Sequence, residues 1–359
     1  MVGSMLKYAE ESGNIHNPDF DFRIVFMGAS QDAMTQKPFS NYPDKLLKYE
    51  QLGVEAVIDR NWKRDSELSE SDLEKLSSLQ AREKVCVGTS CAIQDQLVKR
   101  YQKKNTRVLT IRDNPSPEGE TDYFPMAKRV EESSRELAVP SQACKEKING
   151  SRRVTVVGHG PLEGYVAQAA TVDKDKVKER LGLDPTKPIL VYAGVYGDYY
   201  ESCFKLFLEL INNPKVASAL QVLIVPHPRF LGEVEKRLCT QIKTNDLKWL
   251  IAAEFEKEPA RQVKTVEAIA IADFLVIADA TSTVVFQAGG LGKKVIHINP
   301  NPSTVSEDFY RRGLLIRVES TTELLDLTKP EGEPIKDVFD LMGIPRNGAQ
   351  RLWQEVVGN

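Results

Sequence analysis

Three segments in the second half of the chain carry residue types suited to holding phosphate. The first is Ala193-Gly-Val-Tyr-Gly-Asp198, which follows the apolar run Ile189–Tyr192 and precedes a helical pattern. Strand, glycine loop and helix together let backbone N–H groups approach a phosphate at the helix N-terminus. Gly194 and Gly197 are the close-approach points, and Tyr196 stands between them. A simple strand-to-helix turn uses the same residues, so this loop alone decides nothing. The second segment is Val225-Pro-His-Pro-Arg229, again directly after a strand pattern. Each proline restricts the residue before it, which holds His227 in a stiff extended backbone. His227 can donate to a phosphate oxygen, and Arg229 can add charge-assisted hydrogen bonds. The third is Ala278-Asp-Ala-Thr-Ser-Thr283, where a strand ends and a helix begins. Hydroxyls and unpaired N–H groups at a helix start favour an anion. An ordinary N-cap needs only one of Thr281, Ser282 and Thr283. Gln287 lies one turn after Thr283 on the same face, within reach of a ribose.

These segments need a scaffold that brings strand ends together, and the rest of the sequence supplies one. Short, β-branched apolar runs recur at Phe22–Met27, Val85–Val87, Arg107–Ile111, Val154–Val157, Ile189–Tyr192, Gln221–Val225, Phe274–Ile277, Lys294–Ile298 and Leu314–Arg317. Helical patterns fall between them, for example over 201–211, 232–242, 263–270 and 283–291. Continuous apolar strands alternating with amphipathic helices indicate parallel sheets covered on both faces. Residues 59–84 read as a charged helical stretch, and Ser141 as the N-cap of a helix running through Ile148. The Gly/Pro-rich Gly158-His-Gly-Pro161, the charged helix 174–181 and Asp184-Pro-Thr-Lys-Pro188 mark a connection. The expected division is a first domain over 1–158, a connection over 159–181 and a second domain over 182–359. The C-terminal helix after Arg346 is a candidate to cross back to the first domain.

The chain has 359 residues, 41% hydrophobic and 28% charged, with a formal net charge of −3. That length suits two domains, and that composition excludes global disorder. Mild acidity argues against a dedicated nucleic-acid binder. No apolar run approaches the ~20 residues of a membrane span, and Met1–Gly13 carries no apolar leader pattern. Five cysteines, widely spaced and without a C-x-x-C, form neither a disulfide framework nor a zinc motif. Reduced thiols without an export signal point to the cytoplasm. His159, at the expected connection, reads either as lining a cleft between the domains or, more commonly for a linker histidine, as an exposed residue. His297 precedes Pro300 and a loop to Ser306; it reads equally as a strand-end polar residue or as part of a nucleotide-base contact.

In this order, the glycine loop, the His227-Pro228 pair and the Thr281–Thr283 cluster resemble the C-terminal half of GT-B fold glycosyltransferases. They look most like bacterial polysialyltransferases and CDP-glycerol glycerophosphotransferases. The stretch from Ala272 to Ile296 also resembles the UDP-N-acetylglucosamine 2-epimerases. The resemblance covers residues 150–359 well and the first domain loosely, through Val87-Gly-Thr-Ser90 and Glu131–Ile148. It implies an α/β fold of two Rossmann-like domains facing a cleft, with a nucleotide held on the second. It further implies metal-independent transfer of a sugar or glycerophosphate to an acceptor hydroxyl, without a separate cofactor. The chain departs from the superfamily at Gln287, where a ribose-binding Glu is frequent, and in lacking an evident glycine loop within residues 1–30.

Charge building on the leaving phosphate would be met by the 194–197 backbone, His227, Arg229 and the helix start at Thr281–Thr283. An acceptor base belongs on the first domain. Asp32, in Gly28-Ala-Ser-Gln-Asp32 after a strand, is the leading candidate, with Asp95 and Asp113 behind it. The expected partners are a nucleotide-activated donor and a glycan, lipid-linked or small-molecule acceptor; peripheral membrane contact and oligomeric state are left open. The alternatives are a sugar-nucleotide 2-epimerase on the same fold and a nucleotide-binding scaffold without turnover.

Overall fold

A computed structural model describes residues 1–14, 23–26, 48–51, 65, 67–77, 84–119, 123–194, 201–226, 235, 237–238, 263–327 and 336–358. The chain forms two compact units. One comprises Met1–Pro161 with Met342–Asn359, the other Leu162–Leu341.

In the first unit, β1 (Arg23–Phe26) and β2 (Lys48–Gln51) form a parallel pair. A second parallel sheet runs in the sequential order β3 (Lys84–Val87), β4 (Arg107–Ile111), β5 (Glu136–Val139), β6 (Arg153–Val156). The chain begins with the helix Val2–Glu11. Its Met5, Leu6 and Ala9 pack with Leu109, Ile111, Ala138 and Val157 of the sheet and with Leu352 and Trp353 of the last helix, Gly348–Val357. The last helix therefore lies in the first unit. Lys84 Nζ donates to the carbonyls of Glu355, Val356 and Gly358 at 2.9, 2.8 and 3.0 Å, a cation closing a helix C-terminus. At the other end of that helix the backbones are in contact. A Cβ added to Gly348 would sit 2.6 Å from the His159 amide nitrogen, so only glycine fits there.

The second unit is a five-stranded parallel sheet in the order β11-β10-β9-β7-β8. Its strands are β7 (Ile189–Ala193), β8 (Gln221–Val225), β9 (Phe274–Ile277), β10 (Lys294–His297) and β11 (Ile316–Arg317). All five residues of β7 are buried, as a central strand covered on both faces requires. Helix Glu201–Ile211 turns Cys203, Phe204, Phe207, Leu208, Leu210 and Ile211 inward. Tyr192 stacks on Phe207 at a 4.7 Å centroid separation and meets Phe204 at 4.8 Å. At the start of β7, the Ile189 amide donates to Asp273 Oδ2 and the Asp273 amide to the Ile189 carbonyl, fixing the register of β7 against β9. Residues 159–181, read as a connection, fold mainly as two helices, Gly160–Ala170 and Lys174–Arg180.

Candidate functional site

In the second unit the strand order reverses between β7 and β9. From β7 the chain moves to β8 on one side; β9, β10 and β11 build outward on the other. Ligands of open α/β sheets bind at such a switch point, outside the strands' carboxyl ends. Ala193 pairs with Ile277 in register, so Gly194 and Ala278 leave the sheet side by side. Gly194 is half-buried and donates its N–H to the Val225 carbonyl at 2.7 Å, which keeps the end of β8 alongside. Tyr196, Gly197, His227 and Arg229 lie outside the described residues.

The turn after β9 is built by Asp279. Its Oδ1 accepts the Thr281 amide at 2.8 Å and the Thr281 hydroxyl at 2.7 Å, and its carbonyl accepts the Ser282 amide at 3.2 Å. Thr281 is thereby buried and its hydroxyl occupied within the turn. Ser282 takes the N-cap position of helix Thr283–Gly290 and makes no side-chain cap hydrogen bond. The first turn of a helix carries N–H groups without intrahelical partners. Here they stand with a half-buried Ser282 and an exposed Thr283 at the switch point. Gln287 follows one turn later, half-buried. The glycines behind it serve packing: a Cβ on Gly289 would lie 3.0 Å from Val338 Cβ, and one on Gly290 2.8 Å from Val166 Cγ2.

His297 ends β10 and is buried, which agrees with its reading as a strand-end polar residue. Its Nε2 lies 3.0 Å from the Ala278 carbonyl and its Nδ1 2.6 Å from the Tyr310 hydroxyl. A carbonyl only accepts, so Nε2 carries the proton and Nδ1 receives the tyrosine O–H. Burial holds the imidazole below its usual range, against the pull of the Ala278 bond and of Asp279.

In the first unit, Asp32 lies outside the described residues. Asp95, a runner-up for the base, is fully buried in an ion network. Lys99 Nζ and Arg129 Nε each donate to Oδ2 at 2.8 Å, and Ser133 Oγ donates to Oδ1 at 2.5 Å. Burial pushes its carboxyl up, but the bonds from Lys99, Ser133 and Arg129 outweigh this and leave it below the usual carboxylate range. It holds helix Ala92–Lys103 to helix Tyr123–Ser133 and cannot meet a substrate.

Asp113 is different. It is exposed beyond the end of β4, and Tyr123 Oη donates to its Oδ1 at 2.7 Å. Thr89 Oγ1, beyond the end of β3, lies 3.0 Å from that phenol oxygen. Beside Asp113, Arg112 fixes the loop: its guanidinium donates to Glu131 Oε1 and to the carbonyls of Asn114, Ser116 and Pro117. His159, expected as an exposed linker residue, is buried at the end of β6, with Nε2 2.8 Å from the Asp113 carbonyl. The sequence shows Gly-His-Gly-Pro as a flexible connection; the close approach of Gly348 turns it into packed backbone. Burial lowers the His159 pKa to about 4, despite the Asp113 bond.

Among the described residues, no group of three or more His, Cys, Asp or Glu side chains is placed to hold a metal ion. No described helix is long and apolar enough to cross a membrane.

The two Rossmann-like units define a GT-B-like fold. Structures of this kind are what the chain is similar to. The UDP-GlcNAc 2-epimerase of Methanocaldococcus jannaschii matches with a TM-score of 0.63 at 13% identity, over 97% of this chain and 94% of that one. A glycosyltransferase of Rickettsia africae matches at 0.60 and 13%, over 99% and 94%. The wall teichoic acid polymerase TagF matches at 0.51 and 15%, over 98% and 83%. No family model and no curated protein matches the sequence. These structures share the fold that the sequence resemblance implies.

Proposed function

We propose that the protein is an enzyme that binds a nucleotide-activated donor on its second unit and transfers a sugar or glycerophosphate to an acceptor hydroxyl without a metal. The observation that carries this reading is the switch point. There Gly194 leaves β7 level with Ala278 at the start of the Asp279 turn, and helix Thr283–Gly290 starts on a Ser282 whose side chain caps nothing. That is an anion site in search of a phosphate. Neighbours of the same fold support the donor class: one structure is a UDP-GlcNAc 2-epimerase of Neisseria meningitidis bound to UDP-GlcNAc. Tyr196, Gly197, His227 and Arg229 are assigned to the same donor from the sequence, and Gln287 to its ribose.

Transfer forms a bond from the acceptor oxygen to the donor carbon (for a glycerophosphate, to phosphorus) and breaks the bond to the nucleotide phosphate. The leaving phosphate's charge is met by the helix start, His227 and Ser282. The acceptor proton goes to a carboxylate of the first unit. Asp32 holds that role on the sequence reading. Asp113 has the support of geometry: it is exposed at a strand's carboxyl end and steadied by Tyr123. The epimerase reading is favoured by several structural neighbours of that name. It needs several acid/base groups around the sugar ring.

The test is Thr283→Glu. Glutamate in the first helical turn favours the helix, so thermal stability should hold or rise. It also places a negative charge where the phosphate belongs, and affinity for UDP, CDP and CMP should fall at least ~10-fold. Unchanged affinity refutes the site. Turnover with CMP-, CDP- and UDP-activated donors, followed by NMR, separates the activities. Donor cleavage dependent on acceptor supports transfer, donor isomerisation supports epimerisation, and binding without turnover supports a scaffold.

A further inference from the structure

A line of four hydrogen-bonded groups runs from the outer part of the second unit into the Asp279 turn. Tyr310, on helix Thr304–Arg312, donates its hydroxyl to His297 Nδ1 at 2.6 Å. His297 Nε2 donates to the Ala278 carbonyl at 3.0 Å. The Ala278 carbonyl and the Asp279 amide belong to one peptide plane, so holding the first orients the second. Asp279 in turn accepts from the Thr281 amide and hydroxyl and from the Ser282 amide. Each bond fixes the next, and the last one fixes the N-cap of helix Thr283–Gly290.

The arrangement exceeds what the sheet needs. Ile298 N–H already donates to the Ile277 carbonyl, closing the ladder between β10 and β9. The Ala278 carbonyl lies past that ladder, and an apolar side chain at 297 would leave it buried without this partner. A buried polar group is costly unless bonded, and a buried histidine costs more to install than an apolar residue of similar size. His297 is 1% exposed, yet it presents both nitrogens to partners.

We propose that His297, backed by Tyr310, is a positioning residue for the donor phosphate: it fixes the Ala278–Asp279 peptide and so aims the helix start at Ser282–Thr283. The ring is neutral and holds one tautomer, since Nε2–H faces a carbonyl. It touches no substrate and moves no proton. The phosphate is bound by the turn, and the His297–Tyr310 pair sets where the turn points. This rests on the anion site proposed above.

The experiment measures UDP affinity by calorimetry for the wild type and for His297→Phe, His297→Gln and Tyr310→Phe, with the thermal midpoint of each unliganded protein. His297→Phe should weaken UDP binding about 10-fold or more. His297→Gln, whose amide can still donate to Ala278 and accept from Tyr310, should stay within about 3-fold of wild type. Tyr310→Phe, which loses one hydrogen bond behind the ring, should weaken binding roughly 3–10-fold with a small change in midpoint. Wild-type affinity in both His297→Phe and Tyr310→Phe overturns the inference while leaving the anion site standing. Equal weakening in His297→Phe and His297→Gln overturns it as well, because the hydrogen bonds are then irrelevant. If His297→Phe does not fold, Tyr310→Phe decides. A wild-type protein that binds none of UDP, CDP and CMP overturns the anion site, and the inference with it.

Discussion

Acidifying the protein should expose the cost of keeping His159 neutral. The side chain is 4% exposed, and its pKa is about 4, against an ordinary value of 6.5. The unfolded chain takes up this proton as pH falls through 6.5, while the folded chain resists until about 4. Within that window the unfolded state binds more protons, so stability falls as pH falls, by about 1.4 kcal/mol per pH unit. Over the whole window the loss is roughly 3 kcal/mol, a large share of a typical domain's stability. Above pH 6.5 the group contributes no pH dependence. His159→Gln keeps a donor for the Asp113 carbonyl but does not titrate. Urea unfolding of both proteins between pH 4 and 7 isolates the effect. Carboxylates such as Asp95 and Glu136, which the folded state also holds low, contribute equally to each and cancel. The wild type should lose about 3 kcal/mol relative to His159→Gln between pH 7 and 4. Proton NMR gives a direct check, since the chain has only 4 histidines. A constant difference in unfolding free energy across this range, or a His159 ring titrating near 6.5, would refute the reasoning.

Two further outcomes follow from backbone geometry. Gly348→Ala should destabilise the first unit by about 1–3 kcal/mol, because the added methyl meets the backbone of Gly158, His159 and Gly160; the better helix propensity of alanine returns at most ~1 kcal/mol. A midpoint equal to wild type in thermal unfolding would contradict that packing. Ser141 and Ser282 both stand at N-caps, but only Ser141 accepts a hydrogen bond, from the Cys144 amide at 3.0 Å. Ser141→Ala should therefore cost about 1 kcal/mol, and Ser282→Ala only a few tenths, measured by chemical denaturation. Equal losses would mean that Ser282 caps its helix after all.

Much of the second unit was legible in the sequence. Helix Glu201–Ile211 and strand Gln221–Val225 fall where their apolar spacing puts them, since a sheet covered on both faces leaves little freedom in residue type. The first unit was less so. β5 is only Glu136–Val139, and its leading glutamate extends the charged pattern of the preceding helix, so the strand merges into it. What completes Glu136 is distant in sequence: Arg107, whose guanidinium grips it from β4. Asp95 reads as a candidate base because the partners that occupy it are remote: Arg129 and Ser133 lie 34 and 38 residues away. His159 reads as exposed for the same reason: the Asp113 carbonyl that its ring meets lies 46 residues upstream, and Gly348, which packs on its backbone, lies nearly two hundred residues downstream. The Thr281–Thr283 cluster reads as three equal hydroxyls in sequence, and only the Asp279 turn reveals that the first is occupied.

The helix Gly348–Val357 has a consequence for biosynthesis. The ribosome delivers β3 to β6, then all of the second unit, and only afterwards the helix that covers Leu109, Ile111, Ala138 and Val157. Until it arrives, helix Val2–Glu11 alone covers that face of the nascent first sheet, and the part that Leu352 and Trp353 will fill stays wet and adhesive. Joining the two parts closes a loop of residues 162–341, an entropic cost of roughly 4–5 kcal/mol for a flexible chain. A second unit that has already folded makes that loop far smaller in effect. Vectorial synthesis thus gives the inner segment a head start over the outer one. A nascent chain arrested before Gly348 should recruit holdase chaperones through its unfinished first unit, and its second unit should already resist protease.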